Sequence, residues 1–343
     1  MADITVRGAG IFGLSIAWVC ALRGATVQVI DPHGPAAGSS GGVVGALAPH
    51  VPENWNTKKA FQLDSLLMAQ AFWQGVELIG GVGAGYARTG RLQPIADAHT
   101  LALAQDREAS ARDLWKDHAT WKIIPASGLD WTPDSPTGHL IQDTLSAHLH
   151  PRQACSALVA ALQAKGVTVQ RDGADQGLVL WATGVEGLKT LTAQHTRLIG
   201  AGVKGQAAVL AYDAQGAPQL FADGVHIIPH LNGTTAIGST SERDFDDPTA
   251  TDAQLDAVID RARATVPALR DAPVIERWAG VRPRSRSRAP MLGAWPGRPG
   301  HFIANGGFKI GFGMAPKVAE VMADLLLDGV DAIPPGFRVE DNL

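Results

Sequence analysis

Four stretches of the chain combine residue types that could do chemistry. Gly8-Ala9-Gly10-Ile11-Phe12-Gly13 spaces three glycines so that bare backbone N–H groups can meet an anion. Gly306-Gly307-Phe308-Lys309 adds a full positive charge to a second glycine-rich turn, which runs into apolar residues at helical spacing. Arg282, Arg284, Arg286 and Arg288 would share one face of an extended chain, a surface suited to one carboxylate or to a more anionic molecule. Ser39-Ser40-Gly41-Gly42, with Gly45 beyond, has almost nothing to pack and ends on Ala48-Pro49-His50. Small side chains permit close approach, so this run reads as a second backbone cradle, and His50 as a side chain that could reach the same pocket. A histidine satisfied within its own loop would look the same.

Elements must position these residues. A short strand from Asp3 feeds the first glycine turn. There Gly8 allows the tight turn, Gly10 lets backbone approach a pyrophosphate, and Gly13 lets the next helix sit close on a sheet. That helix carries Leu14, Ile16, Ala17, Val19 and Leu22 and stops at Arg23-Gly24, and residues 26–30 then read as a buried parallel strand. Asp31 follows it, ahead of Pro32-His33, where an acid would accept from the ribose hydroxyls of an adenine dinucleotide and disfavour a 2′-phosphate. Strand, turn, helix, strand and acid together predict a dinucleotide-binding domain. Nothing in the pattern explains a charge at Arg7, where such strands usually end in small apolar residues.

Helices are expected over residues 58–78, 98–115, 151–164 and 252–266, and from about 314 to 327, with strands over 86–95, 138–141 and 167–170 and a loop-rich stretch over 121–136. Residues 178–181 read as a buried strand that delivers Ala182-Thr183-Gly184 to the edge where the first glycine turn stands. Alternation over 197–212, 219–221, 225–229 and 234–237, broken by Asp223-Gly224 and Asn232-Gly233, predicts an antiparallel sheet. A strand over 274–281 runs into the arginines, and one over 301–304 into the second glycine turn. The fold class is therefore α/β: a Rossmann-like doubly wound domain from residues 1–80, 142–196 and 275–343, and a second, α+β substrate domain built on an antiparallel sheet from 81–141 and 197–274. Two glycine-rich strand-to-helix turns suggest one end for a pyrophosphate and another for an extended aromatic ring, which points to FAD.

Composition narrows the partners. A formal charge of −4, with a single arginine cluster and no interleaved aromatics, argues against nucleic acid or an anionic membrane surface. No apolar run is long enough to span a bilayer, and the glycines at 8–13 have a better explanation than a signal peptide, so a cytoplasmic protein is expected. Cys20 and Cys155 fall on apolar helix faces without a CxxC pair, which predicts buried reduced thiols and no metal site.

Taken in order, the motifs resemble the FAD-dependent amine oxidoreductases of the D-amino-acid oxidase, glycine oxidase and sarcosine oxidase superfamily, over nearly the whole chain. The resemblance rests on the fingerprint with Asp31, the run 39–49, the Pro151-Arg152 helix entry, Ala182-Thr183-Gly184, the Gly280-Val281-Arg282-Pro283 turn and the Gly307-Phe308-Lys309 loop. It implies oxidation of the C–N bond of a small amino acid, glycine-like, N-methylated or of D configuration, to an imine and then an oxo acid, with dioxygen reduced to hydrogen peroxide. A dehydrogenase that passes electrons to a quinone or protein, alone or as the FAD subunit of a heteromeric enzyme, is the alternative. The Gly-x-Arg-Pro turn looks like that of glycine and D-amino-acid oxidases and would give Arg282 the substrate carboxylate. The Gly-Phe-Lys loop looks like that of sarcosine oxidase and makes Lys309 a second candidate for the same role. Three departures stand out: Asp31 replaces the more usual glutamate, the stretch 167–178 is short, and no cysteine follows Cys155 to carry flavin covalently. FAD is therefore expected to be non-covalent.

Overall fold

The computed structural model describes residues 1–343 apart from 127, 129 and 130. In chain order the elements are β1 (Ile4–Arg7), α1 (Ile11–Leu22), β2 (Val27–Ile30), β3 (Ala46–Leu47), α2 (Thr57–Gly80), β4 (Arg91–Pro94), α3 (Ala98–Trp115), β5 (Trp121–Pro125), β6 (His139–Asp143) and β7 (Ala147–His148). There follow α4 (Pro151–Ala164), β8 (Val169–Gln170), β9 (Leu178–Trp181), α5 (Gly184–Ala193), β10 (Gly200–Leu210), β11 (Gln219–Ala222), β12 (Val225–Pro229) and β13 (Thr235–Gly238). The last are α6 (Ala253–Thr265), β14 (Val274–Ser285), β15 (Met291–Ala294), β16 (His301–Asn305) and α7 (Gly311–Asp328).

Six strands form the first sheet in the order β15-β16-β9-β1-β2-β8, all parallel except the edge strand β15. The chain leaves β1 toward β2 and β8, then returns to β9 and β16 on the other side. Strand order therefore reverses at β1, and the crevice beyond the carboxyl ends of β1 and β9 is where such sheets bind ligands. Ala182 N donates to Arg7 O at 2.7 Å and closes the two strand ends together. The apolar character of α1 on nearly every face follows from its place among α7, α4 and the sheet, where Leu14, Ile16 and Ala17 are buried with Leu158, Ala161, Val318 and Met322.

The second sheet has eight strands in the order β14-β10-β13-β12-β11-β4-β6-β5, antiparallel except between β11 and β4. Helix α6 covers one face through Leu255, Val258, Ile259 and Ala262, packed with Leu210, Leu220, Ile227 and Ile237. The other face presents Ala207, Val209, Ile228 and Ala236 to Val43 of the small-residue run, which thus lies against the second sheet. The division expected at residue 275 falls at the start of β14, and β14 pairs with β10 down to Ser285, so Arg282 belongs to a strand of the larger sheet.

Local differences from the expected elements have physical causes. The expected strand over 86–95 shortens to Arg91–Pro94 because Gly90, at φ 79°, turns the chain where a Cβ would collide with Asp143 O. The stretch 121–136 begins with β5, an edge strand with Lys122 exposed and Pro125 at its end; residues 127, 129 and 130 of that stretch lie outside the described residues. Helix α5 was not expected because only Leu188 and Leu191 are buried along it, too few to give a period. The arginine stripe is half realised: Arg282 and Arg284 share a face of β14, while Arg286 turns to the carbonyls of Asn342 and Leu343. Arg288 sits in a turn at φ 60°.

One buried ion pair joins β4 to β6. Arg91 Nε donates to Asp143 Oδ2 at 3.0 Å, and Asp143 also accepts from Ser146 N at 2.7 Å and Ser146 Oγ at 3.0 Å. Asp143→Ala strands a buried guanidinium, and denaturant unfolding should show a loss of roughly 3–5 kcal/mol. A loss below about 1 kcal/mol would mean that the pair is solvated.

Candidate active site

A cavity of about 1450 Å³ lies between the two sheets, beyond the roughly 300–1,000 Å³ of an ordinary small-ligand pocket. Helix starts supply much of its polarity. Helices α1, α4, α5 and α7 begin without a side-chain cap, and Gly10, Ile11, Pro151, Gly184, Ile310 and Gly311 from those starts line the cavity. Helices α2, α3 and α6 start elsewhere and are capped by Asn56, Asp97 and Asp252. Uncapped starts leave backbone donors and the positive ends of helix dipoles for a bound anion.

At one end the backbone comes too close for side chains. A Cβ on Gly8 would collide with Ala182 O, and one on Gly13 with Gly8 O. Asp31 accepts from Ala9 N at 2.8 Å through one oxygen and from His33 N at 2.9 Å through the other, and it lines the cavity with lone pairs to spare. Ser40 Oγ accepts from Ile11 N at 3.0 Å and ties the small-residue run to α1. Gly41 and Gly45 admit no Cβ because Ala36 O and Leu149 O stand in the way, and Arg152 Nε donates to Gly41 O at 2.7 Å. Arg7 now has an account. It bonds Asp175 at 2.6 Å and Gly173 O at 3.0 Å, with its guanidinium 5.5 Å from the Trp181 ring, so the short polar segment before β9 receives it.

Positive charge gathers at the other end. The Arg282 guanidinium lies over Gly205, where any Cβ would take its place. Its Nη1 donates to Ser239 Oγ at 2.8 Å and its Nη2 to Thr240 O at 2.6 Å and Lys204 O at 3.3 Å, while the buried Nε has no partner. Burial lowers its pKa to about 10 against the pull of Glu242, so it stays charged at neutral pH. Phe308 adopts a left-handed φ of 45°, held by its N–H bond to Pro283 O at 3.0 Å. Its ring centroid lies 5.5 Å from the Arg282 guanidinium, 5.6 Å from that of Arg284 and 5.8 Å from Lys309 Nζ. Burial and then Arg282 lower the Lys309 pKa, and its ammonium has neither a hydrogen bond nor an ion pair among the described residues. His226 of β12 stands opposite Phe221 and Gly238, with Nδ1 buried and unpartnered. Burial, then Arg91 and Lys309, push its pKa down to about 3, so it is a neutral imidazole.

A family model described as FAD dependent oxidoreductase (DAO) matches residues 3–325. The chain belongs to that family. It is 27% identical over 370 residues to the glycine oxidase of Pseudomonas putida, covering 97% of this chain and 96% of that one. It is 26% identical over 358 residues to the bifunctional protein ThiO/ThiG of a Nostoc species, covering 95% of this chain but 53% of the relative. The chain thus spans about half the length of that curated relative. The crystal structure of glycine oxidase from Geobacillus kaustophilus superposes with a TM-score of 0.85 at 19% identity, over 98% of each chain, and shares the fold.

The cavity of this FAD-dependent oxidoreductase fits the dinucleotide. Gly8, Gly13, Gly41 and Gly45 of its cradle admit no Cβ, the helix starts that line it have no bond from their own N-cap side chains, and an acid follows β2. Neither cysteine lines it: Cys20 and Cys155 are buried thiols pushed up to about 12 by desolvation. Among the described residues no cluster of three or more His, Cys, Asp or Glu could hold a metal, and no helix is long and apolar enough to cross a membrane.

Most of the expected site residues meet here. Gly8, Gly10, Ile11, Phe12, Asp31, Pro32, His33, Ser39, Ser40, Gly42, Ala182, Thr183, Gly184, Gly306, Gly307, Phe308, Lys309 and Arg282 all line the cavity. Ala9, Gly13, Gly41 and Gly45 do not; they shape the cradle from behind through the backbone contacts above. His50 is also absent from the wall: its backbone N and ring Nδ1 both bond Gln62 of α2. Sequence reasoning missed His226, Ser239, Arg243 and Trp278, which line the cavity from strands and a loop without a spacing signal. Gly13→Ala should cost FAD, since the new Cβ meets Gly8 O. Protein purified with a full complement of flavin would refute that.

Proposed function

We propose that this enzyme oxidises the C–N bond of a small amino acid, glycine-like, N-methylated or of D configuration, to an imine that water hydrolyses to the oxo acid with release of ammonia or the amine. Dioxygen is the electron acceptor and leaves as hydrogen peroxide. The observation that carries the reading is the convergence of Arg282, Lys309 and neutral His226 on one wall of the cavity, facing a lining without a carboxylate at that end. FAD, when bound, would supply the acceptor for the two electrons and hydrogen lost from the substrate carbon. Arg282, which keeps its charge and has a donor left beyond its bonds to Ser239, Thr240 and Lys204, holds the substrate carboxylate, which fixes the carbon to be oxidised. Lys309 and the uncapped start of α7 place positive charge at the flavin edge. Gly8 to Gly13, Asp31 and the run 39–45 hold the nucleotide and the ring, with Ala182 to Gly184 and Gly306 to Phe308 across from them.

The test is anaerobic bleaching of the flavin by a panel of glycine, sarcosine and D-amino acids, then peroxide detection in air. Flavin that no amine reduces would sink the assignment. Turnover only with an artificial acceptor would replace dioxygen by a quinone or protein acceptor. Acid precipitation should leave all flavin in the supernatant, because no cysteine reaches the cavity; colour in the pellet would mean a covalent link.

A further inference from the structure

The substrate end of the cavity holds more positive charge than one carboxylate can use. Besides Arg282 and Lys309, Arg243 lines it from the loop between β13 and α6. The root of that loop is anchored. Glu242 forms an antiparallel bridge with Lys204, each N–H donating to the other's carbonyl at 2.9 Å. Its carboxylate turns inward, 3.7 Å from Lys204 Nζ, accepting from Gln206 Nε2 at 3.1 Å and from Thr240 Oγ1. Arg243 follows at a bend, exposed, and lines the cavity beside the Lys204 carbonyl that Arg282 Nη2 also bonds.

No carboxylate is paired with it. Arg243 has neither an ion pair nor a hydrogen bond among the described residues. Asp247 spends one oxygen on Thr249 N at 2.7 Å, Ala250 N at 3.1 Å and Thr249 Oγ1 at 2.8 Å, and exposed Asp244 and Asp246 stand outside the cavity lining. The two acids that do line the cavity belong to the nucleotide end: Asp31 after β2, and Glu186 in the first turn of α5, bonded to Lys189 at 2.8 Å. With Lys309 given to the flavin edge, two arginines remain. Phe221 and Phe245 also line this end and supply apolar wall for the few carbons that would separate two anionic groups.

We propose that the preferred substrate is an amino dicarboxylate: Arg282 takes the carboxylate beside the reacting carbon and Arg243 takes a second one, on a short side chain or on the nitrogen substituent. The inference rests on the amine-oxidation reading and deepens it. Because Arg243 is exposed, its contribution is screened by salt and appears as affinity more than as rate.

Flavin reduction by D- and L-aspartate and iminodiacetate, compared with glycine, sarcosine and D-alanine, tests both. At least one dicarboxylate should exceed the best monocarboxylate tenfold or more in kcat/KM. Arg243→Gln should cut the ratio at least tenfold through KM, and Arg243→Lys should restore part of it. Equal FAD content in the variants checks that the fold is intact. Monocarboxylates that reduce flavin as well as dicarboxylates, or a ratio that Arg243→Gln leaves unmoved, overturn the dicarboxylate inference and leave amine oxidation standing. No reduction by any of the six overturns both.

Discussion

Arg282→Ala should lower kcat/KM for the preferred amino acid by at least about 100-fold while the protein keeps its FAD. A charge-assisted bond to a carboxylate, at roughly 1.5–3 kcal/mol, sets that scale. Arg282 already gives three donors to Ser239, Thr240 and Lys204, which hold the planar group in place before substrate arrives. Its substrate bonds therefore cost little ordering entropy. Lys309 differs, since its ammonium has no bond to orient it among the described residues and lies over the Phe308 ring, 5.8 Å from its centroid. Lys309→Met should instead slow flavin reduction or its reoxidation, with a smaller effect on apparent substrate affinity. Rapid-reaction kinetics on the two variants make the comparison direct. If Lys309→Met raised the substrate dissociation constant as much as Arg282→Ala, with flavin kinetics untouched, both groups would share the carboxylate and this division of roles would fail.

The parts of the site legible in sequence are those where backbone sterics permit one residue type. Gly8 and Gly13 collide with Ala182 O and Gly8 O if given a Cβ, so the fingerprint had to be glycine, and its spacing is visible without a structure. Arg282 is visible through its turn, but what orients it is not. Ser239 and Thr240 come from the end of β13, and the space for the guanidinium from Gly205 of β10, contacts that only sheet registry brings together. His226 is one residue in an alternating strand, and Arg243 looks like a solvated charge among three nearby aspartates, so neither carries a local signal. His50 shows the converse. Its position after a small-residue run suggested the cavity, whereas a glutamine from a helix that begins after it in the chain captures both its backbone and its ring. Arg7, without explanation in sequence, needed Asp175 from the segment that leads into β9.

Acid should destabilise this fold well above the range in which carboxylates titrate. His148 and His230 are buried, and burial pushes their pKa values down to about 4 and about 3; His150 and His148 further lower His230, against its bond to Val43 O. Both are neutral in the native state and protonate near 6.5 when unfolded. The unfolded chain therefore binds more protons below that value, and stability present above pH 6.5 is lost as pH falls toward the folded values. Each residue costs about 2 kcal/mol by pH 5 and the pair about 6 kcal/mol by pH 4, against a total of roughly 5–15 kcal/mol for an ordinary domain. His226, His150 and His50, also shifted down by burial, add in the same direction. Carboxylates held low, such as Glu53 and Asp331, contribute only below their unfolded range, so the window from pH 6.5 to 5 isolates the histidines. The site is coupled to this cluster, because His230 Nε2 donates to Val43 O at 3.0 Å and Ala46 pairs with His148, both in the run that cradles the ligand. Flavin release and loss of secondary structure should then share one acid midpoint. Neither ring nitrogen of His148 has a partner, so His148→Leu removes a titrating group without stranding a bond. In that variant the slope of unfolding free energy against pH should fall by about 1 kcal/mol per pH unit over the same window. An acid limb identical to that of the parent protein would show that His148 is hydrated and titrates normally in the native state.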